Sequence, residues 1–180
     1  MQIHGLYHFT FFITDGANAN TGIHNGSIRH LELELGRPLQ WLICILHMLE
    51  LPARRLLIFL DGGTSGPLGT EGPIGDACRN LPENMGNFVK FTKIPTKLPE
   101  FNRQVLNGRD DLVTMCDLCI GIATGVIDAK YLTKVPQAIS NARWHTVFTR
   151  ILNVYVRTRR PTKKLVLMVK FIQQVQYIIY

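Results

Sequence analysis

Five places in the chain carry side chains whose types and spacing could do chemistry. Asp15 follows the apolar run Phe9-Thr10-Phe11-Phe12-Ile13-Thr14 and precedes Gly16. A carboxylate at the carboxyl end of a strand stands where α/β folds expose ligand-binding groups, and its oxygens suit a hard cation such as Mg²⁺. The Asp-Gly pair is equally ordinary turn chemistry, with the carboxylate bonded to its own backbone. Cys44 and His47 form a Cys-x-x-His spacing. A soft metal could use both, but structural zinc wants four ligands and no second pair lies near in sequence. A buried thiol beside a hydrogen-bonded imidazole is the other state open to them.

Cys116 and Cys119 are spaced as Cys-x-x-Cys. Redox pairs of that spacing lie at strand-to-helix junctions, whereas this one falls inside a helical pattern, where neighbours three apart share a face and point to a core. Arg143-Trp144-His145 sets a planar cation beside a large indole at a helix start. Such a pair can grip a phosphate and stack on a base. Trp144 also shares a stripe with Phe148 and Ile151, which suits a core position. Further on, Arg157, Arg159, Arg160, Lys163 and Lys164 make a basic hinge between two helices, fit for phosphate contact or for a solvated loop.

The elements that would position these groups can be read from periodicity and turn residues. Phe9 to Thr14 is a strand, rich in aromatic and β-branched residues. Asn25 to Leu35 is a helix with Ile28, Leu31 and Leu35 on one face, stopped by Gly36 and Pro38. Leu39 to Ile45 is short and apolar enough for a buried strand, and His47 to Leu60 returns to helical spacing, with a break or a start expected near Pro52. That alternation predicts an α/β layer over residues 1–60. Asp61 to Pro82 holds six glycines and three prolines and reads as a loop with one helical turn near Ile74 to Arg79. It lacks the Gly-Lys-Ser/Thr ending of a phosphate loop. Residues 61–107 form an irregular connection. Residues 108–180 form a basic helical region, with helices at Asp110 to Ile122, Ala142 to Tyr155 and Pro161 to Ile179. The fold class expected is therefore an α/β start followed by a mostly helical remainder, α-rich α+β overall.

Composition sets the limits. Among 180 residues 46% are hydrophobic and 18% charged, too apolar for a disordered chain. The net charge of +7 is unevenly spread: residues 129–180 contain ten Lys and Arg and no Asp or Glu. A stretch of that length without a carboxylate is an electrostatic footprint for phosphates or for an acidic surface. Leu165 to Tyr180 is interrupted by Lys170 and three glutamines and falls short of the ~20 apolar residues of a membrane span. With four cysteines suited to reduced thiols, the expectation is an intracellular protein with no membrane partner.

Three of these features occur in order in one family. The run Ile13-Thr14-Asp15-Gly16-Ala17-Asn18-Ala19-Asn20-Thr21-Gly22 resembles the segment around the second catalytic aspartate of DDE-type DNA transposases, particularly hAT-like ones. Cys44-Ile45-Leu46-His47 is similar to the Cys-x-x-His that those enzymes place after the next strand. Ala142-Arg143-Trp144 resembles the Arg-Trp motif opening a helix of their insertion domain. The resemblance spans residues 9 to 156 and implies a partial RNase H-like sheet followed by a helical insertion. It implies Asp15 as a Mg²⁺ ligand, Cys44 and His47 flanking the site, and Arg143 with Trp144 on DNA. The basic residues Arg157, Arg159, Arg160, Lys163 and Lys164 would add phosphate contacts.

The family's triad needs two further acids, one on an earlier strand and one after the Arg-Trp helix. No residue before Asp15 is acidic, and no acid follows Asp128. Two-metal phosphoryl transfer requires several carboxylates to clamp both ions. The chain by itself is thus expected to be a truncated, catalytically inactive relative, with Asp15, Cys44 and His47 vestigial and no tightly held Mg²⁺. Its expected partner is DNA, in the nucleus or the cytoplasm, with assembly as a homo-oligomer or with a full-length transposase. The alternative is a host interaction module built on the helical region, with no nucleic acid involved.

Overall fold

The structure is a computed structural model that describes residues 11–14, 17–43, 45–63, 70–81, 89–100, 102–104, 106, 108–133 and 144–177. In chain order the elements are β1 (Phe11–Thr14), α1 (Asn18–Thr21), α2 (Ser27–Leu35), β2 (Gln40–Ile43), α3 (Ile45–Asp61), α4 (Pro73–Arg79), α5 (Asp110–Thr124), α6 (Lys130–Thr133), α7 (Trp144–Val156) and α8 (Lys163–Phe171), which continues as a π-helical turn over Ile172–Gln176. The described residues are mostly helical with one two-stranded parallel sheet, an α-rich α+β fold. None of their helices is long and apolar enough to cross a membrane. Two compact units divide at Pro52, the first Met1–Pro52 and the second Ala53–Tyr180. The division therefore falls inside α3, and the segments 61–107 and 108–180 share one unit.

In the first unit β1 and β2 run parallel, in register from Phe11 opposite Gln40 to Thr14 opposite Ile43. Parallel strands need a crossover of a dozen or more residues, which α1 and α2 supply. Helix α2 ends where the sequence places its end. Gly36 takes the left-handed conformation (φ 60°, ψ 22°), and the Arg37 N–H closes the last turn on the Glu32 carbonyl at 3.2 Å. Glu32 ties the helix to the strand, because its Oε1 accepts from the Leu39 N–H at 3.0 Å and from the Trp41 indole N–H at 3.2 Å. These bonds favour the ionised carboxylate and hold Glu32 below its usual range. Two packing expectations are corrected here. Of the α2 face only Ile28 is buried, Leu31 and Leu35 being exposed, and β2 is not a buried strand, since Trp41 and Leu42 are 39% and 48% exposed.

Pro52 does not break α3, which runs on to Asp61. A proline deletes one ladder hydrogen bond, but Ala53, Leu57 and Leu60 beyond it are buried in the second unit's core, and that burial outweighs the loss.

The second unit is built around α7. Every described side chain from Thr146 to Val156 is buried, and the helix packs against α4, α5 and α8. Phe148, Ile151 and Leu152 fill the stripe that the periodicity predicts, each 0% exposed. The polar residues of α7 can also turn inward because they find backbone acceptors. Asn153 Nδ2 donates to the Thr149 carbonyl at 2.9 Å, and Arg150 donates to the Cys78 carbonyl at 2.6 Å.

A second buried polar device closes α3 onto α4. Asp61, 6% exposed, accepts from the N–H groups of Ile74 and Gly75, both at 2.8 Å, and from the Thr70 hydroxyl. A carboxylate at a helix N-terminus satisfies donors that the helix itself cannot. This use of Asp61 explains two of the glycines. A Cβ at Gly72 would lie 1.8 Å from the Asp61 carbonyl oxygen, and one at Gly75 the same distance from that of Thr70.

Residues 89–100 cross the unit as an extended strap. The Ile94 N–H bonds the Ile122 carbonyl near the end of α5 at 3.0 Å. The Tyr155 and Tyr177 hydroxyls donate to the carbonyls of Thr92 (2.6 Å) and Pro99 (3.1 Å). Ile94 points into the core while Lys90, Lys93 and Lys97 stay exposed.

Candidate nucleic-acid interface

The turn from α7 to α8 sorts the basic run into inward and outward cations. At the end of α7 the N–H groups of Arg157 and Thr158 bond back to Val154 and Tyr155, and the Thr158 hydroxyl donates to the Val154 carbonyl at 2.7 Å. Arg157 lies on the inner side of that closure, half-buried. Its guanidinium donates to Asn153 Oδ1 at 2.6 Å and to the Tyr131 carbonyl at 3.4 Å. Arg150, about two turns earlier, is 4% exposed. Burial pulls both guanidiniums below the usual arginine range. These two cations hold the unit together.

Past Thr158 the chain runs outside any helix and its cations face solvent. Arg159, Arg160, Lys163 and Lys164 are all exposed. Pro161 cannot donate to a ladder, and Thr162, in an extended conformation (φ −65°, ψ 155°), caps α8 by accepting the Leu165 N–H at 3.2 Å. The first turn of α8 contains no acid. Positive charge at a helix N-terminus opposes the macrodipole, at roughly 0.3–1 kcal/mol per charge. An anion arriving at the turn would relieve that repulsion.

Two further exposed cations come from distant sequence, Lys130 next to the residue that Arg157 contacts and Lys93 on the strap. Tyr131, whose carbonyl takes the Arg157 contact, lies under Lys130, 4.7 Å from the ring centroid. Lys130 also pairs with Asp128 at 3.4 Å. Lys93, on the strap, lies against Gly125 just past α5. The sequence reading missed Lys93 because its placement depends on the strap. The apolar Val89, Phe91 and Ile94 interleaved with Lys90, Thr92 and Lys93 were the available signal for a half-buried segment.

Asp15, Cys44 and Arg143 lie outside the described residues. His47 lies within α3 and Trp144 opens α7, with their side chains also outside the description. Cys116 and Cys119 are 0% exposed in α5, on its core face. Burial raises the thiols of Cys78 and Cys116 to about 12, and that of Cys119 well above its ordinary value, so all three are protonated at neutral pH. Among the described residues no three His, Cys, Asp or Glu side chains converge on a metal position. An open groove of about 410 Å³ is lined by Thr96, Leu98, Glu100, Arg103, Ile120 and Tyr177. Its guanidinium is engaged, since Arg103 forms a two-bond pair with Asp117, which also accepts from the Tyr131 hydroxyl.

Compared with protein-family models, with curated proteins and with solved structures, the chain finds no match in any of the three.

Proposed function

We propose that the chain is a transposase-derived DNA-binding protein whose exposed α7–α8 turn grips the phosphate backbone. The observation that carries this reading is the turn itself. Four solvent-facing cations, Arg159, Arg160, Lys163 and Lys164, gather within six residues at the start of an acid-free helix. In the same reading Asp15, Cys44 and His47 descend from the hAT-like catalytic segment, and the parallel β1–β2 pair from an RNase H-like sheet. The parallel order, with helices in the crossover, supports that descent. Mg²⁺ belongs to the parent chemistry, with Asp15 its ligand there. No metal-dependent step is assigned to this chain, whose stretch after Asp128 offers no carboxylate.

Trp144, beside Arg143, is proposed to stack on unpaired or distorted bases at the DNA end. Affinity for hairpin or mismatched DNA should fall about tenfold in Trp144→Ala, the worth of one stacked base, with a smaller loss on plain duplex. Equal loss on both substrates, measured by fluorescence anisotropy, contradicts the stacking role. Binding of either substrate that does not weaken steeply with added salt contradicts the phosphate grip and favours the protein-interaction alternative.

A further inference from the structure

We propose that Thr162 is a phosphorylation site and that its modification switches off the phosphate-binding turn. The sequence around it is Arg159-Arg160-Pro161-Thr162, a hydroxyl acceptor with arginines two and three residues before it. That arrangement is read by kinases whose acidic substrate clefts pair with guanidiniums. The fold presents it accordingly. Arg159, Arg160 and Thr162 are exposed, residues 158–162 are outside any helix, and Thr162 itself has extended backbone angles. The other hydroxyl in the turn differs in exposure and in its partner: Thr158 is half-buried and donates to the Val154 carbonyl at 2.7 Å.

The reaction needs a nucleoside triphosphate as donor and a separate protein kinase as catalyst. Thr162 Oγ1 forms a bond to the γ-phosphorus, and the bond from that phosphorus to the β,γ-bridging oxygen breaks. Nucleoside diphosphate leaves, and the hydroxyl proton passes to the kinase's base. The phosphoryl group adds a charge of about −1.5 to −2 at neutral pH. It arrives among four cations and at the N-terminus of α8, where its oxygens take over the cap that Thr162 Oγ1 gives the Leu165 N–H. The helix is retained while the surface that would hold DNA phosphate is occupied by the chain's own. The switch rests on the DNA-binding reading above; the acceptor site does not.

The test incubates the full chain with ATP and an arginine-directed kinase and maps the product by mass spectrometry. One phosphoryl group at Thr162 is expected, absent in Thr162→Ala and kept in Thr162→Ser, which preserves both cap and acceptor. The rate should drop at least about tenfold in the Arg159→Ala/Arg160→Ala variant, which loses both charge-assisted contacts. No modification of the folded chain at Thr162, when a peptide of residues 155–168 is modified, overturns the site. Affinity of the modified chain for a plain duplex should fall about tenfold or more at moderate salt. Unchanged affinity overturns the switch. Failure of the unmodified chain to bind duplex overturns the DNA-binding reading, and the switch with it, but leaves the mapped acceptor standing.

Discussion

In the unit ending at Pro52, Ile28 and Leu39 are the buried apolar side chains among the described residues, while Ile13, Ile23, Leu33 and Leu42 stand 48–75% exposed. In the unit from Ala53 onward, one continuous cluster runs from α3 through α4, α5 and α7 to Tyr177, and even arginine and asparagine are drawn into it with partners. The first unit holds its shape through a parallel ladder, a helix cap and the Glu32 clamp. The second holds its shape through packing. The difference teaches where each kind of residue can be read functionally. In a packed unit a cation is either consumed by the core, as Arg150 is, or displayed, as Lys163 is, and the core decides between them.

The largest effect that sharpens this contrast is expected from the centre of α7. Phe148→Ala removes a ring that is 0% exposed and should cost about 3–5 kcal/mol in denaturant unfolding. Leu42→Ala in the sheet of the first unit should cost less than about 1 kcal/mol, because its side chain is half solvated already. Equal costs would break the comparison.

Asp61→Ala comes next. It strips the acceptor from the N–H groups of Ile74 and Gly75 and from the Thr70 hydroxyl, and should destabilise the second unit by about 2–3 kcal/mol. Asp61→Asn, which keeps one acceptor oxygen, should recover part of that in the same unfolding experiment.

The smallest effect belongs to the first unit and is read by pH. Glu32 titrates below its ordinary value of 4.5 because Leu39 and Trp41 donate to the ionised form. A folded value lower than the unfolded one gives stabilisation that is fully present above about 4.5 and is lost as pH falls through the folded value. The Trp41 indole N–H resonance should therefore shift in acid, below 4.5, and Glu32→Gln should abolish that titration. An indole signal that ignores pH in the unsubstituted chain would remove the clamp from the account.

Much of this was legible in the sequence where the cause is local. The end of α2 follows from Gly36 and Pro38, and the helices α5 and α7 from apolar spacing, because a few neighbouring residues decide each. The short helix before Arg79 was visible as a single turn among glycines. The sequence could not show that the carboxylate fixing its start is Asp61, brought from the end of α3. Nor could it separate Arg157 from Arg159. The two lie two residues apart in one basic run just past the end of α7, yet the first is turned back toward Asn153 and the second faces solvent. Trp41 misled in the other direction. An apolar strand was read as buried, whereas its indole instead reaches Glu32 at the edge of a thin sheet. The catalytic-type residues Asp15 and Cys44 remain a matter of resemblance, carried by motif order.

The most direct test of the central claim is the salt dependence of duplex DNA affinity, measured for the unsubstituted chain and for a variant with Arg159, Arg160, Lys163 and Lys164 all changed to Ala. Each cation that neutralises a phosphate contributes about −0.9 to the slope of log affinity against log salt. The outward turn therefore predicts a slope shallower by about 3 to 4 in the variant, with its unfolding curve nearly unchanged. Identical slopes in two equally folded proteins would contradict the assignment of this turn as the phosphate-binding surface.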